Sequence, residues 1–369
     1  MTTSIARTLT SNGSRRKGTL SFWYKKCEVG TSRMVYQSYT SGGNNHNILT
    51  NTDDTLRFTS QVSSSKKIDL VTNRKFRDTN AWYHIVIAFD TEQGTASNRA
   101  KMYINGVQET AFTNASGGSP TYPSQDQDLQ VNISGEHIYF NKNGDGAGME
   151  ASCVYSHIHY IDGTMYDASA FGSFDSTTGE WKINTSPSVT YGTNGFFILK
   201  DGNSVTDQSG NSNNFTVEQG TITKTEDNPS NVFCTLNPLS TDSGVTLSSG
   251  NTESDYDGSV GNAKGTLGFT SGKFYWEVKI ATASSDYPML GIGSLDEAQM
   301  QKTTGGSYPG GFTNSYGTYG NGNVYANGSN TGSQSFTYAT NDIIGIAVDL
   351  DSGTKTIKWF KNGTQIASY

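Results

Sequence analysis

Hydrophobic side chains recur at every second position in short runs, and turn residues separate the runs. In "KMYINGVQET" (101–110), Met102, Ile104 and Val107 can face a core across Asn105-Gly106. In "IKWFKNGTQIA" (357–367), Ile357, Trp359 and Ile366 do the same across Asn362-Gly363. A period of two predicts strands, and Asn-Gly between strands predicts a type I′ hairpin, whose two central residues need positive φ. Asn tolerates that conformation and Gly prefers it. "AWYHIVIAFD" (81–90) and "IIGIAVDL" (343–350) are apolar almost continuously. Such runs predict central strands covered on both faces, or strands of a sandwich core. No stretch keeps a helical period beyond about ten residues, so the chain reads as all-β.

The strands fall into two series. The first runs to "SCVYSHIHYIDG" (152–163) and is followed by "ASAFGSFDSTTGEWKIN" (168–184), where Asp167 and Ser169 can cap one helical turn through Phe171. A turn-rich stretch punctuated by Pro229 and Pro238 then leads to a second series near Ser240. The expected organisation is two tandem antiparallel β-sandwiches. The first spans 1–220 with its C-terminal extension, a connector spans 221–242, and the second sandwich spans 243–369.

Composition fits. Gly accounts for 42 of 369 residues and charged residues for 16%, against a usual charged share of about 25%. A net charge of -7 argues against a general nucleic-acid binder. The one basic run, Arg15-Arg16-Lys17, is too short to imply a partner and reads as a solvated strand edge. No apolar run approaches the ~20 residues of a membrane span, and the N-terminus has no apolar signal core. Cys27, Cys153 and Cys234 are odd in number and unpatterned, as expected of free thiols in a reducing compartment.

"TLSFWYKK" (19–26), "AWYHIVIAFDT" (81–91) and "AKMYINGVQ" (100–108) resemble a concanavalin-A-like, laminin-G-type jelly roll. "GKFYWEVKI" (272–280), "LGIG" (290–293) and "DIIGIAVDLDSGTKTIKWFKNG" (342–363) resemble a SPRY domain. The middle, in "SHIHYIDGTMYDASAFGSFDSTTGEWK" (156–182), "YGTNGFFILKD" (191–201), "DQSGNSNNFTV" (207–217) and "DNPSNVFCTLNPL" (227–239), resembles structural proteins of marine bacteriophages. That resemblance implies a virion protein assembled in the host cytoplasm, either a tail fibre or a head decoration. Its implied partners are other virion proteins and a host-surface glycan or receptor. Weak contacts would gain by avidity in a homo-oligomer, most simply a trimer.

The chemistry points away from an enzyme. Retaining glycoside hydrolysis needs two carboxyl groups about 5 Å apart; Glu136, Glu150, Glu180 and Glu277 stand alone, and Asp349 and Asp351 flank a turn. No cofactor is implied except calcium, whose candidate ligands are Asn141, Asn143 and Asp145 in "NKNGDG" (141–146). The twelfth position of that loop is Ser152 rather than Glu. "GGSYPGGFTNSYGTYGNGNVYANGSNTG" (305–332) sets Tyr308, Phe312, Tyr316, Tyr319 and Tyr325 on a Gly/Ser/Asn backbone suited to stacking on sugars or protein loops. Tyr316, Tyr319 and Tyr325 equally suit SPRY core strands, and Tyr308 with Phe312 is the expected exposed pair. Only six residues follow Asn362-Gly363, so an unfinished sheet edge, completed by a neighbouring subunit or by further chain, is expected in the second sandwich.

Overall fold

The two Asn-Gly pairs take the backbone their chemistry allows. Asn105 and Gly106 have φ of 47° and 80°, and Asn362 and Gly363 have 50° and 83°. Ala100–Ile104 pairs with Val107–Glu109 across the first turn, and Thr356–Lys361 with Thr364–Ser368 across the second. The structure is a computed structural model and describes residues 3–146, 148–200, 202, 204–242, 244–256, 261–283, 288–294 and 308–369. Within them the protein is all β apart from two 3-10 turns, Ala96–Asn98 and Ala168–Ala170. It forms two compact units, Met1–Phe233 and Cys234–Tyr369.

In the first unit two antiparallel sheets face each other. The eight-stranded sheet runs Phe112–Thr113, Ser65–Lys75, Thr55–Val62, Asn44–Thr50, Arg33–Ser41, His137–Phe140, Ser4–Thr8, Thr216–Gln219. The six-stranded sheet runs Phe196–Ile198, Cys153–Asp162, Lys17–Lys26, Trp82–Asp90, Ala100–Ile104, Val107–Glu109. Alternate residues meet in the middle: Phe22, Ile85, Ile87 and Met102 from one sheet, Ile48, Phe58, Leu70 and Phe140 from the other. Burying each such side chain stabilises the fold by about 1.5–3 kcal/mol.

The near-continuous apolar run of Trp82–Asp90 has a second apolar layer on its far side. Trp23, Trp82, Val86 and Ile161 pack there against Ala168, Phe171 and Trp181. The covering residues come from the excursion between 163 and 195. Its short hairpin, Gly172–Phe174 with Trp181–Ile183, lies on the outer face of the six-stranded sheet. The helical turn expected there is a 3-10 turn, with the Asp167 carboxylate accepting from the Ser169 N–H at 2.9 Å.

Two ion pairs are sealed inside the first unit. Lys25 Nζ meets Asp227 Oδ2 at 2.5 Å with both side chains fully covered, and Lys26 Nζ meets Asp54 Oδ1 at 2.5 Å. Successive strand residues project to opposite faces, so the adjacent lysines reach different partners. Trp82 Nε1–H and the Phe233 N–H both donate to Asp227 Oδ1, at 3.1 Å each. The stretch read as a connector is therefore divided: Asp227 is buried in the first unit, and Leu236–Thr241 is a strand of the second.

The second unit has two four-stranded antiparallel sheets. One runs Lys273–Lys279, Ile343–Asp349, Thr356–Lys361, Thr364–Ser368; the other runs Met289–Gly293, Ser315–Tyr319, Asn323–Ala326, Ser329–Ser333. Ile346, Val348, Ile357, Trp359 and Val324 close the core, and Trp359 Nε1–H donates to Leu290 O at 3.1 Å. Cys27 is buried, Cys153 half-buried and Cys234 exposed, all as free thiols. Burial pushes the Cys27 thiol up to about 12.

Candidate functional site

The excursion packs on the outside of the six-stranded sheet, and a groove lies on the outer face of the eight-stranded sheet. The residues of that face follow from strand parity. His46, Ile48 and Phe58 point inward, so Asn45, Asn47, Arg57 and Thr59 point outward. The groove, of about 450 Å³, lies towards one end of this face and is lined by Ser32, Thr52, Asp53, Arg57, Val71, Thr113 and Asn114, among others. Asp69, on the neighbouring strand, accepts from Arg57 Nε at 2.7 Å, Lys66 Nζ at 3.1 Å and the Ala115 N–H at 3.3 Å.

Both carboxyl groups at this groove are held ionised. Burial pushes Asp69 up, but the bonds and charge of Arg57 and Lys66 outweigh it and leave the group below its ordinary value. The Thr55 hydroxyl, donating at 2.7 Å, lowers Asp53 in the same direction.

The sequence nominated other residues. Asn141 is buried at φ 59°; its Nδ2 donates to Thr3 O and Ala151 O, and its Oδ1 accepts the Ala151 N–H at 2.6 Å. Asn143 Oδ1 accepts from Gln37 Nε2 at 3.4 Å and from the Asp145 N–H at 3.3 Å. Asp145 takes the Tyr39 hydroxyl, and that hydrogen bond to a carboxylate pushes the Tyr39 phenol up to about 12. The three side chains thus serve separate partners, pinning the 141–146 turn to the eight-stranded sheet. Among the described residues, no three His, Cys, Asp or Glu side chains stand together as a metal-binding group.

In the second unit the five aromatic candidates divide. The expected exposed pair needs correction, because Phe312 is only 6% exposed and Tyr308 is half-buried. The cause is Ser315, whose Oγ accepts the N–H groups of Gly310 at 2.8 Å and Phe312 at 3.2 Å, and donates to Phe312 O at 2.8 Å. That knot turns the Phe312 ring inward. Tyr316 packs against the core and stands 5.1 Å from the Tyr369 ring. Parity puts Tyr319 and Tyr325 on the opposite face, because Tyr325 pairs with Gly317 and Tyr316 with Ala326. Tyr308 meets Tyr325 edge-on at 5.6 Å. Gly317 makes room for this arrangement, since a Cβ there would stand 2.4 Å from Pro309 O. Tyr308, Tyr319 and Tyr325 therefore remain as an outward-facing set. Residues 305–307, which open this tyrosine-rich stretch, lie outside the described residues.

Sequence reading missed Arg57 and the groove. Arg57 lies on the ordinary strand Thr55–Val62, and the groove's floor and rim come from segments near 52, 57, 71 and 113 that only the sheet order brings together. Arg15, Arg16 and Lys17 form no basic patch, since Asp128, Asp126 and Glu92 face them.

Residues 3–141 match the laminin G form of the concanavalin A-like lectin/glucanases superfamily, and residues 273–369 match the SPRY domain. Several solved structures are similar. A heptameric SAP-like pentraxin from Limulus polyphemus is 14% identical, covering 61% of this chain and 90% of its own, with a TM-score of 0.39. A candidate carbohydrate-binding protein from Bacteroides ovatus is 12% identical over 61% of this chain and 60% of its own, with a TM-score of 0.36. Domains LG4-5 of the mouse laminin α1 chain are 9% identical over 100% of this chain and 75% of their own, with a TM-score of 0.35. No curated protein matches the sequence. The chain is an all-β protein in which a laminin-G/concanavalin A-like sandwich is followed by a SPRY β-sandwich.

Proposed function

We propose that this protein is a non-catalytic binding protein whose first sandwich holds a glycan in the groove of its eight-stranded sheet. The observation that carries the reading is the groove itself: it is polar and sized for a small ligand, on the sheet face that the excursion leaves open. The absence of catalysis is part of the proposal. A glycosidase needs one carboxyl kept protonated as its acid, and Asp53 and Asp69 are both shifted the other way.

The proposed setting is the surface of a bacteriophage particle, as a tail-fibre-like homo-oligomer, with the resemblance of the middle segments as its support. A second reading is a decoration or connector protein with a purely assembly role. It is favoured by apolar side chains exposed on the second unit: Leu239 at 64%, Leu267 at 63%, Tyr275 at 57% and Ile343 at 41%. A glycan array probed with the intact chain, beside an assay for released reducing ends, separates the readings. Array binding without release supports the first; release of reducing ends overturns the non-catalytic claim. No binding, with the chain co-assembling with another particle protein, leaves the assembly reading.

A further inference from the structure

We infer that the groove on the eight-stranded sheet takes a sugar bearing a carboxylate, held by the forked guanidinium of Arg57. This deepens the carbohydrate-binding reading above and rests on it.

Arg57 sits on the outer face between Leu49 and Val71, its partners on the two neighbouring strands. Both partners are largely buried, and the Arg57 side chain is only 17% exposed. The guanidinium itself is not sealed: neither Nη is among the buried polar atoms that lack a partner, so both open on solvent, where a ligand can reach them. Among the described residues its one hydrogen-bond acceptor is Asp69, with Nε–H donating to Oδ1. The two Nη groups, with four N–H donors, make no hydrogen bond to any of the described residues, although Arg57 lines the groove.

Asp69 does not compete for that role. Lys66 and the Ala115 N–H hold its other oxygen, so it fixes the plane of the guanidinium and leaves the Nη edge for something else. The charge balance agrees. Arg57, Lys66 and Lys75 stand against Asp53 and Asp69, with Lys75 Nζ 3.9 Å from Asp53, so three cations face two carboxylates. That is a local excess of one positive charge on a chain of net charge -7.

The rest of the groove suits a sugar ring. Ser32, Thr52 and Thr113 line it, their hydroxyls without a hydrogen-bond partner among the described residues, and Val71 offers an apolar patch for a C–H face. A planar carboxylate meets a guanidinium edge through two parallel hydrogen bonds, a geometry the tetrahedral oxygens of a sulfate ester match less well. Uronic and nonulosonic acids share this carboxylate.

The test is calorimetric titration of the intact chain with methyl β-glucuronide, the methyl glycoside of N-acetylneuraminic acid, methyl β-glucoside and a sulfated methyl glucoside. Binding of a carboxylated glycoside at least tenfold tighter than the glucoside is expected, and the two acidic arms identify the source. Arg57→Lys keeps a cation beside Asp69 but removes the fork, and should weaken acid binding at least tenfold. Thr113→Trp blocks the groove from its rim without touching Arg57; with an unchanged melting curve it should weaken binding equally. Equal binding of glucoside and acid, or preference for the sulfate ester, overturns the inference and leaves the carbohydrate-binding reading standing. Binding of none of the four overturns both.

Discussion

Removing the Asp227 carboxylate is a severe test of how the first unit is held together. In Asp227→Ala, the Lys25 ammonium stays in a site where neither partner is exposed, and the Trp82 and Phe233 N–H donors lose their acceptor. Breaking a buried ion pair from one side costs about 3–5 kcal/mol. In a unit of this size each kcal/mol lowers Tm by about 2–4 °C, so a drop of about 6–20 °C is expected. Scanning calorimetry of the intact chain measures it. Asp227→Asn separates the contributions, since it keeps an acceptor for both N–H donors and removes only the charge. The double variant Lys25→Met, Asp227→Leu replaces the pair by apolar groups and should regain the part of the loss due to the unpaired charge, while the Trp82 and Phe233 N–H donors still lack their acceptor. Truncation after Gly220 removes Asp227 with its segment and should cost at least as much. The reasoning is refuted if Asp227→Ala lowers Tm by less than about 2 °C, or if the double variant melts no higher than the single one.

Further tests address protons, cations and turns. Burial pushes His46 and His84 down to about 3; such groups take up protons first in the unfolded chain, so stability is full above about pH 6.5 and is lost as pH falls towards 3. Each histidine contributes a slope of about 1.4 kcal/mol per pH unit once below 6.5; urea melts at pH 7, 6 and 5 should show the decline, and a flat series would contradict it. Asn141→Ala should destabilise by about 1–3 kcal/mol, by orphaning the groups it clamps, equally in calcium and in chelator. A melting temperature that falls on chelation in the unaltered chain would instead assign the 141–146 loop to a cation. Gly363→Ala meets no atom within 4 Å and should cost about 1 kcal/mol of left-handed strain. Gly106→Ala puts a Cβ 2.3 Å from the Trp181 ring and should cost about 1–3 kcal/mol more in equilibrium unfolding; equal losses would argue against the Trp181 contact.

The features legible in the sequence were those fixed by neighbours along the chain. Asn105-Gly106 and Asn362-Gly363 determine their turns through their own φ angles, and period-two alternation marks the core face of almost any strand. The lack of alternation in Trp82–Asp90 suited either a strand covered on both faces or one in a sandwich core, and only the packing of the excursion decides for the first. The groove was not legible, because Arg57 looks like any outward strand residue until Asp69 and Thr113 come beside it through pairing. Phe312 was misplaced for a related reason. A Gly-rich stretch with aromatics suits an exposed loop, and nothing local shows that the Ser315 hydroxyl will fold it inward. The consecutive Lys25 and Lys26 gave no hint of two sealed ion pairs, since their partners lie 202 and 28 residues away.

The unequal exposure of the three thiols has a practical consequence. Cys27, buried and held protonated far above neutral pH, offers almost no thiolate for alkylation, while Cys234 lies open at the first residue of the second unit. A brief maleimide pulse on the native chain should therefore mark Cys234 selectively. A biotin placed there leaves Arg57 and the tyrosines 308, 319 and 325 chemically untouched. The same protein can then be immobilised at low or high density, so that affinity and avidity are read on a single surface.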